Sequence, residues 1–226
     1  MKAVYIKDYG DLNTLKWGDV PDPIQKDDEV TIKIRSSSLN HLDLWVRKGI
    51  PKHKIGDFFI LGSDASGEIV DKGPNVDKYK VGDKVVIQPG IFNSQSKFFN
   101  TNKAHYCSSY GILGETVNGV QCEYFSCPVE NIYPMPKHLS YNEASAMPLV
   151  FMTAYEMLCE RARLAENEKV LIYGATSGVG SAAIQIAKDL KCEVFTTVGD
   201  DDKIEFAYKL GADFVFNHRS TSFYND

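Results

Sequence analysis

The chain has 226 residues, 43% of them hydrophobic and 24% charged, which is typical of globular domains. Its 25 Lys and Arg residues against 30 Asp and Glu residues give a formal charge of −5, without the basic stripe that nucleic-acid-binding proteins carry. No apolar run approaches the roughly 18 residues that span a bilayer, and charges come too early at the N-terminus for a signal peptide. Five cysteines without C-x-x-C spacing favour a reducing, cytoplasmic compartment over a disulfide framework.

The first part of the chain predicts short strands. Val30, Ile32 and Ile34 alternate with polar residues, which indicates a half-buried strand over Glu29–Arg35. Further strands are predicted at Ala3–Ile6, Gly67–Val70, Lys84–Ile87 and Gln121–Phe125. Glycine and proline separate these segments, so we expect a compact β-rich module. The polar stretch Asn93–His105 predicts a surface loop that is long for a simple connection.

The pattern changes at Ser140. Ser140 and Glu143 form a capping-box pattern that opens a helix, Pro148 interrupts it, and a second helical run extends to about Arg163. We therefore predict two domains, residues 1–139 and residues 140–226.

From Glu168 onward, strands and helices alternate. The predicted elements are the strand Lys169–Tyr173, the helix Gly178–Leu190, the strand Glu193–Val198, the helix Asp201–Leu210 and the strand Asp213–Phe216. Such alternation predicts a parallel sheet with right-handed crossovers. A complete Rossmann-type domain has two βαβαβ halves. We therefore expect only the first half here, and expect the chain to be shorter than a complete enzyme.

A glycine-rich turn joins the first strand of this region to its helix. Glycines at such a turn let the backbone approach a pyrophosphate, and the helix N-terminus offers it N–H groups and a positive dipole end. The spacing is one residue longer than the plain G-x-G-x-x-G pattern. The predicted cofactor-binding residues of the turn are Gly174, Ala175, Thr176, Ser177, Gly178, Val179 and Gly180. The structural alternative is a turn that only packs the helix against the sheet.

The end of the second strand bears on which dinucleotide binds. That strand ends at Val198 without a carboxylate at its tip, which favours NADP(H) over NAD(H). Lys203 and His218, with Arg219 beside it, are the predicted cationic partners of a 2′-phosphate. Against this, the run Asp200–Asp202 would repel a phosphate unless it faces solvent. Asp200 also has a structural explanation as a helix N-cap.

Five segments together resemble the medium-chain dehydrogenase/reductase superfamily, most closely its zinc-type alcohol dehydrogenase and quinone oxidoreductase branches. The segments are Ser38–Asp43, Leu61–Glu68, Val81–Val85, Pro148–Tyr155 and Gly174–Gly180. The resemblance implies a GroES-like catalytic domain followed by a Rossmann-type domain. It also implies hydride transfer between a nicotinamide and a carbonyl, alcohol, quinone or activated alkene.

The zinc ligands of that superfamily are missing. By resemblance, the catalytic-zinc positions hold Asn40, Ser63 and about Leu149, and Asp64 alone cannot hold the metal. A four-cysteine structural lobe is similarly depleted. Its places hold Asn93, Ser96, Phe99 and Cys107. We therefore predict no metal at either position.

Without a Lewis acid, the remaining chemistry is reduction by NADPH of an already electrophilic acceptor. Asn40 is the predicted hydrogen-bond donor to the developing negative charge, because zinc-free quinone oxidoreductases have a similar Asn. Asp43 and Asp64 are predicted to orient the cleft or, alternatively, to remain from the residues that surrounded the ligands of a lost metal. Thr153 resembles a threonine near the nicotinamide. As structural alternatives, Asn40 is a turn residue and Thr153 bonds back to its own helix.

The leading hypothesis is a zinc-independent NADPH oxidoreductase acting on a small-molecule quinone, enone or related carbonyl. One alternative is an alcohol dehydrogenase-like enzyme for simple alcohols and aldehydes. The other is a non-catalytic descendant that binds a nucleotide or a partner. No nucleic-acid or membrane partner is expected, and a homodimer stays open as the oligomeric state.

Overall fold

The computed structural model describes residues 1–50, 54–92, 96–98, 101 and 103–220. The chain divides into two compact units, Met1–Leu149 and Val150–Asp226. The predicted domain boundary at residue 139 lies earlier in the chain and stays a prediction. Among the described residues, no helix has the length and apolarity needed to cross a membrane.

In the part of the first unit that the structure describes, ten short strands and two α-helices form most of the fold. In chain order they are β1 (Lys2–Ile6), β2 (Lys16–Asp19), β3 (Glu29–Ser38), α1 (His41–Lys48), β4 (Phe59–Ile60), β5 (Asp64–Lys72), β6 (Lys84–Ile87), β7 (Gly90–Ile91), β8 (Gly111–Ile112), β9 (Tyr124–Pro128), β10 (Ile132–Pro134) and α2 (Tyr141–Ser145). The main antiparallel sheet has the order β10-β6-β5-β3-β9, and a smaller one has the order β2-β1-β4.

The alternation predicted for β3 is present, because Val30 and Ile32 are fully buried in the core beside Ile69 and Ile87. The predicted strand Gln121–Phe125 is wrong in position. The strand β9 begins only at Tyr124, since the preceding residues turn to follow β1 and the end of β4 instead. There the N–H of Val4 donates to the carbonyl of Gln121 at 2.8 Å.

Helix α2 packs on the main sheet through buried hydroxyl contacts. The Ser66 hydroxyl on β5 donates to the carbonyl of Tyr141 at 2.7 Å. The hydroxyls of Ser36 on β3 and Ser145 lie 3.0 Å apart. The predicted capping box at Ser140 is confirmed, because its hydroxyl accepts from the Glu143 N–H and the Glu143 carboxylate accepts from the Ser140 N–H. These contacts explain why α2 belongs to the first unit.

The second unit has the predicted βαβαβ order. After α3 (Pro148–Tyr155) and a wider π-helical turn (Glu156–Arg161) come β11 (Lys169–Ile172), α4 (Gly178–Asp189), β12 (Glu193–Val198), α5 (Ile204–Lys209) and β13 (Phe214–Asn217). The three strands are parallel in the order β11-β12-β13. Residues 201–203 form a 3-10 turn before α5, so the predicted helix over 201–210 is shorter than expected.

The two faces of this parallel sheet differ. Ala182, Ala183 and Ile184 of α4 are buried against one face. On the strands, Leu171, Phe195 and Phe214 pair side by side in register. Leu171 is 48% and Phe214 is 42% exposed, and the rings of Phe195 and Phe214 stack with centroids 4.6 Å apart.

We expect Gly180→Ala to destabilise the second unit by about 3 kcal/mol, because the new Cβ would overlap the carbonyl oxygen of Gly174 and lie 2.8 Å from Ser177 Oγ. Gly199→Ala is the matched control, since its Cβ would meet no atom closer than 3.6 Å. Urea denaturation of both variants measures the difference. Equal stabilities would show that α4 can move away from the turn at little cost.

Candidate functional site

The glycine turn is held by the neighbouring strand. Gly174 has φ +71°, a left-handed conformation that glycine adopts without strain. Its N–H donates to Thr197 Oγ1 at 3.1 Å, and the N–H of Ala175 donates to the Thr197 carbonyl at 2.9 Å. Thr197 on β12 therefore anchors the turn from both its side chain and its backbone. Apart from the position of Thr197 near the strand end, no sequence pattern predicts this role.

Helix α4 begins with amides that face outward along its axis. The Ser177 hydroxyl is the N-cap and accepts from the N–H of Gly180 at 2.9 Å, which leaves its own proton free to donate. The N–H groups of Gly178 and Val179 lie in the first turn, where a helix supplies no acceptor. The side chain of Thr176 is exposed at the same end. Gly180 lies so close to the Gly174 carbonyl that a Cβ would overlap it, so α4 packs tightly against the turn.

A charged group lies just beyond β12. The Asp200 carboxylate forms ion pairs with Lys203 at 2.8 Å and with Arg219 at 3.2 Å. The hydrogen bond from Lys203 lowers the pKa of Asp200, and the same contact raises the pKa of Lys203. Asp200 occupies the predicted N-cap position before the turn 201–203, but its carboxylate binds these cations and makes no side-chain cap to a backbone N–H. His218 lies nearby, with its Cε1 3.6 Å from the point where a Cβ would lie if Gly199 carried one.

Asn40 is held from two sides in the first unit. Its backbone N–H donates to Asp43 Oδ2 at 2.8 Å, which sets the start of α1. Its side-chain Nδ2 donates to Asp64 Oδ2, also at 2.8 Å. Asn40 is half-buried, whereas Asp64 is fully buried behind it. The structure therefore brings the two predicted catalytic residues into direct contact.

The other oxygen contacts of Asp64 come from two further elements. Its Oδ1 accepts from the N–H of Leu149 in the first turn of α3 at 2.9 Å. Its Oδ2 also faces the Ser38 hydroxyl at the end of β3 at 3.4 Å. Neither Ser38 nor the Leu149 N–H was expected from the sequence as a partner. A backbone N–H carries no residue-specific signal.

Burial dominates the ionisation of both acids beside Asn40. Desolvation raises the pKa of Asp64 to about 6, although the hydrogen bonds from Asn40, Leu149 and Ser38 oppose the rise. The nearby charge of Asp43 acts in the same direction as burial. Desolvation also raises the pKa of Asp43, against the N–H groups of Asn40 and Gly62.

The positions that the resemblance assigned to zinc ligands make other contacts. The buried Ser63 hydroxyl donates to the carbonyl of Leu113 at 2.7 Å. Within the described ranges, no group of three His, Cys, Asp or Glu side chains could hold a metal ion. In the lobe, the Cys107 thiol lies 3.0 Å from the Ser109 hydroxyl. Asn93 and Phe99 lie outside the described residues.

Thr153 lies on α3 with its side chain exposed, next to Ala154, which is fully buried in the core of the second unit. His41 forms an edge-on ring contact with Trp45, with the ring centroids 5.0 Å apart. The structure defines the geometry of three separate groups: the glycine turn, the ion pairs of Asp200 with Lys203 and Arg219, and the Asn40–Asp64 hydrogen bond. The roles of these residues stay predictions.

Two family models match this architecture. That of the alcohol dehydrogenase GroES-like domain matches residues 26–137, and that of the zinc-binding dehydrogenases matches residues 178–225. The fold and the glycine turn define a protein with a GroES-like domain and a partial Rossmann-type nucleotide-binding region, which confirms the predicted fold class. The chain belongs to the medium-chain dehydrogenase/reductase superfamily.

Relatives from two branches of the superfamily are similar to the chain. A quinone oxidoreductase of Homo sapiens is 30% identical over 224 residues, covering 99% of this chain and 60% of that protein. An NAD-dependent alcohol dehydrogenase of Sulfolobus acidocaldarius is 32% identical over 221 residues, covering 95% and 63%. The crystal structure of an NAD-dependent alcohol dehydrogenase matches with a TM-score of 0.90 at 39% identity, covering 95% and 63%. The chain thus spans about 60% of the length of the curated relatives it matches.

The raised pKa of Asp64 predicts how stability depends on pH. A carboxyl whose pKa is higher in the folded state stabilises the fold below its unfolded pKa of 3.8, and this contribution is lost as pH rises through about 6. Asp64→Asn removes the titration. Between pH of about 4 and about 8, the free energy of unfolding of the wild type should fall by roughly 2–3 kcal/mol relative to the variant.

Urea denaturation of both proteins across that pH range measures this difference. Asp43 titrates in both proteins, and the difference between the curves therefore reports Asp64 together with its charge interaction with Asp43. Parallel stability curves would contradict the prediction.

Proposed function

We propose that the protein is a zinc-independent oxidoreductase that transfers hydride from NADPH to a quinone, an enone or a related carbonyl. The observation that carries this proposal is the hydrogen bond between Asn40 and the buried Asp64. It occupies, by resemblance, the position at which zinc-type relatives hold their metal. Similarity to a quinone oxidoreductase also supports the choice of acceptor.

Zinc does not fit the residues at this position. An amide, a hydroxyl and an aliphatic side chain replace the Cys, His or carboxylate ligands that catalytic zinc needs. The one carboxylate, Asp64, already accepts hydrogen bonds from Asn40 and Leu149 on its two oxygens. We therefore derive no catalytic step through a metal.

The role of the chain's own residues follows from hydrogen bonding and placement. Asn40 has a second N–H that Asp64 does not use, and this N–H can donate to the oxygen of an acceptor as negative charge develops on it. Asp64 holds the carboxamide in place, which reduces the entropy lost on reaching the transition state. The acceptor must already be electrophilic, because hydrogen bonding alone polarises it less than a metal does.

The second unit holds the groups that fit the cofactor. When bound, the cofactor supplies the hydride. The N–H groups of Gly178 and Val179 and the Ser177 hydroxyl fit its pyrophosphate. Thr153 is the exposed α3 residue assigned to the nicotinamide region by resemblance.

We favour NADP(H) because two cations, Lys203 and Arg219, lie just beyond β12, with His218 beside them. A 2′-phosphate would compete with Asp200 for both cations. The rival cofactor, NAD(H), is favoured by the Asp200 carboxylate itself, which could accept from ribose hydroxyls. The names of two relatives also specify NAD dependence.

Asp200→Asn distinguishes the two cofactor assignments. One predicts tighter binding of NADPH by the variant, and the other predicts weaker binding of NADH. If a 2′-phosphate binds Lys203 and Arg219, loss of the competing carboxylate should tighten NADPH binding by about 2- to 5-fold, in line with the free energy of exposed ion pairs. If Asp200 binds the ribose, the substitution should weaken NADH binding. Calorimetric titration with each cofactor measures both constants.

Asp189→Asn is the control for this comparison, since it removes the same charge from the exposed end of α4. Tighter NADPH binding by both variants would indicate a general charge effect. NADH bound tightly and NADPH rejected by the wild type would refute the choice of NADP(H).

Asn40→Ala should lower kcat for quinone reduction by about 10²-fold, because it removes the proposed donor to the developing negative charge. Steady-state assays of kcat with a panel of quinones, enones and simple aldehydes measure this change. Each assay is run with and without a chelator. Chelator-sensitive turnover would contradict zinc independence. Turnover of simple alcohols and aldehydes alone would favour the alcohol dehydrogenase alternative, and cofactor binding without turnover would favour a non-catalytic protein.

A further inference from the structure

The Asp64 carboxylate receives a donor that cannot change direction. Its Oδ1 accepts the backbone N–H of Leu149 at 2.9 Å in the first turn of α3. A peptide N–H can only donate, so the atom facing it must be an acceptor. This fixes which end of any side chain at position 64 faces Leu149, and therefore which end is left for Asn40.

The second oxygen of Asp64 then selects one end of the Asn40 carboxamide. Oδ2 of the ionised acid can only accept, and it accepts from Asn40 Nδ2 at 2.8 Å. The oxygen and nitrogen ends of a carboxamide are nearly the same shape, so packing alone does not choose between them. Only a neighbour of fixed hydrogen-bond polarity can choose. Burial makes the choice costly to reverse, because a buried acceptor without a donor is destabilising.

We propose that Asp64 is a positioning residue that sets the direction of the Asn40 carboxamide, leaving one N–H for the substrate while the carboxamide oxygen faces the backbone N–H of Asp43. The catalytic consequence of this role rests on the proposed function. The direction itself is a property of the folded chain. Asp43 adds to it by binding the backbone N–H of Asn40 at 2.8 Å, so that the residue is held at both its main chain and its side chain.

Asp64→Asn predicts a reversal of direction. The Leu149 N–H still requires an acceptor, so the new carboxamide oxygen should face Leu149 and its NH₂ should face position 40. Asn40 must then turn its own oxygen inward to accept. The Asn40 NH₂ would then replace the carboxamide oxygen in facing the backbone N–H of Asp43.

Scalar coupling across the hydrogen bond, measured by NMR on ¹⁵N,¹³C-labelled protein, reports this direction without any activity. In the wild type at neutral pH we expect coupling from Asn40 Nδ2 to Asp64 Cγ. In Asp64→Asn we expect coupling from the Nδ2 at position 64 to Asn40 Cγ. Ser38→Ala removes the weaker 3.4 Å contact to the same oxygen and should keep the wild-type coupling.

Enzyme kinetics supply the second readout. Asp64→Ala leaves the carboxamide unheld and should lower kcat at least about 10-fold, and Asp64→Asn, which holds the carboxamide in the reversed direction, should lower kcat by less than Asp64→Ala. If Asp64→Ala does not fold, the coupling in the other two variants still tests the direction.

No coupling between Asn40 and Asp64 in the wild type, or an unreversed coupling in Asp64→Asn, would overturn the assignment. Expected couplings in a protein that turns over no acceptor would instead refute the proposed function and leave the positioning of Asn40 standing.

Discussion

The buried carboxylate of Asp64 is the constraint on which the candidate site of the first unit depends. A fully buried negative charge persists only when its oxygens are hydrogen-bonded. Here the donors come from the turn before α1 and the first turn of α3. The contacts that satisfy the charge are therefore the same contacts that hold Asn40. The hydrogen bond from Asn40 thus has two effects. It stabilises the buried charge of Asp64, and it holds the Asn40 side chain in one position.

The second unit depends on a different constraint, the close approach of two backbone segments at the glycine turn. Gly180 lies against the carbonyl of Gly174, and Thr197 bonds the turn through both its side chain and its backbone. The turn is thus fixed by the strand beside it, so that the first amides of α4 keep their direction. An anion site made of backbone groups needs this rigidity, since no side chain can be repositioned to compensate.

Hydrophobic periodicity within single strands and helices predicted much of the fold. Elements too short to show such a period were not predicted. The βαβαβ order was predictable because each strand and helix is long enough to show its own periodicity. The two-residue strands β4, β7 and β8 were not, because they are too short to show a period and depend on distant partners. The side-chain cap expected of Asp200 is absent for a related reason. A carboxylate before a helix suits a backbone N–H, but Lys203 and Arg219 offer charged partners instead.

Residue identity and spacing along the chain were enough to indicate the superfamily, the order of most elements and the missing zinc-ligating residue types. They also singled out Asn40 and Asp64. Only the tertiary structure decided that the two residues touch, that Leu149 supplies the opposing N–H, and that Asp64 is buried enough for its pKa to rise to about 6. These features depend on segments up to 85 residues apart meeting at one carboxylate, and no local pattern encodes such a meeting.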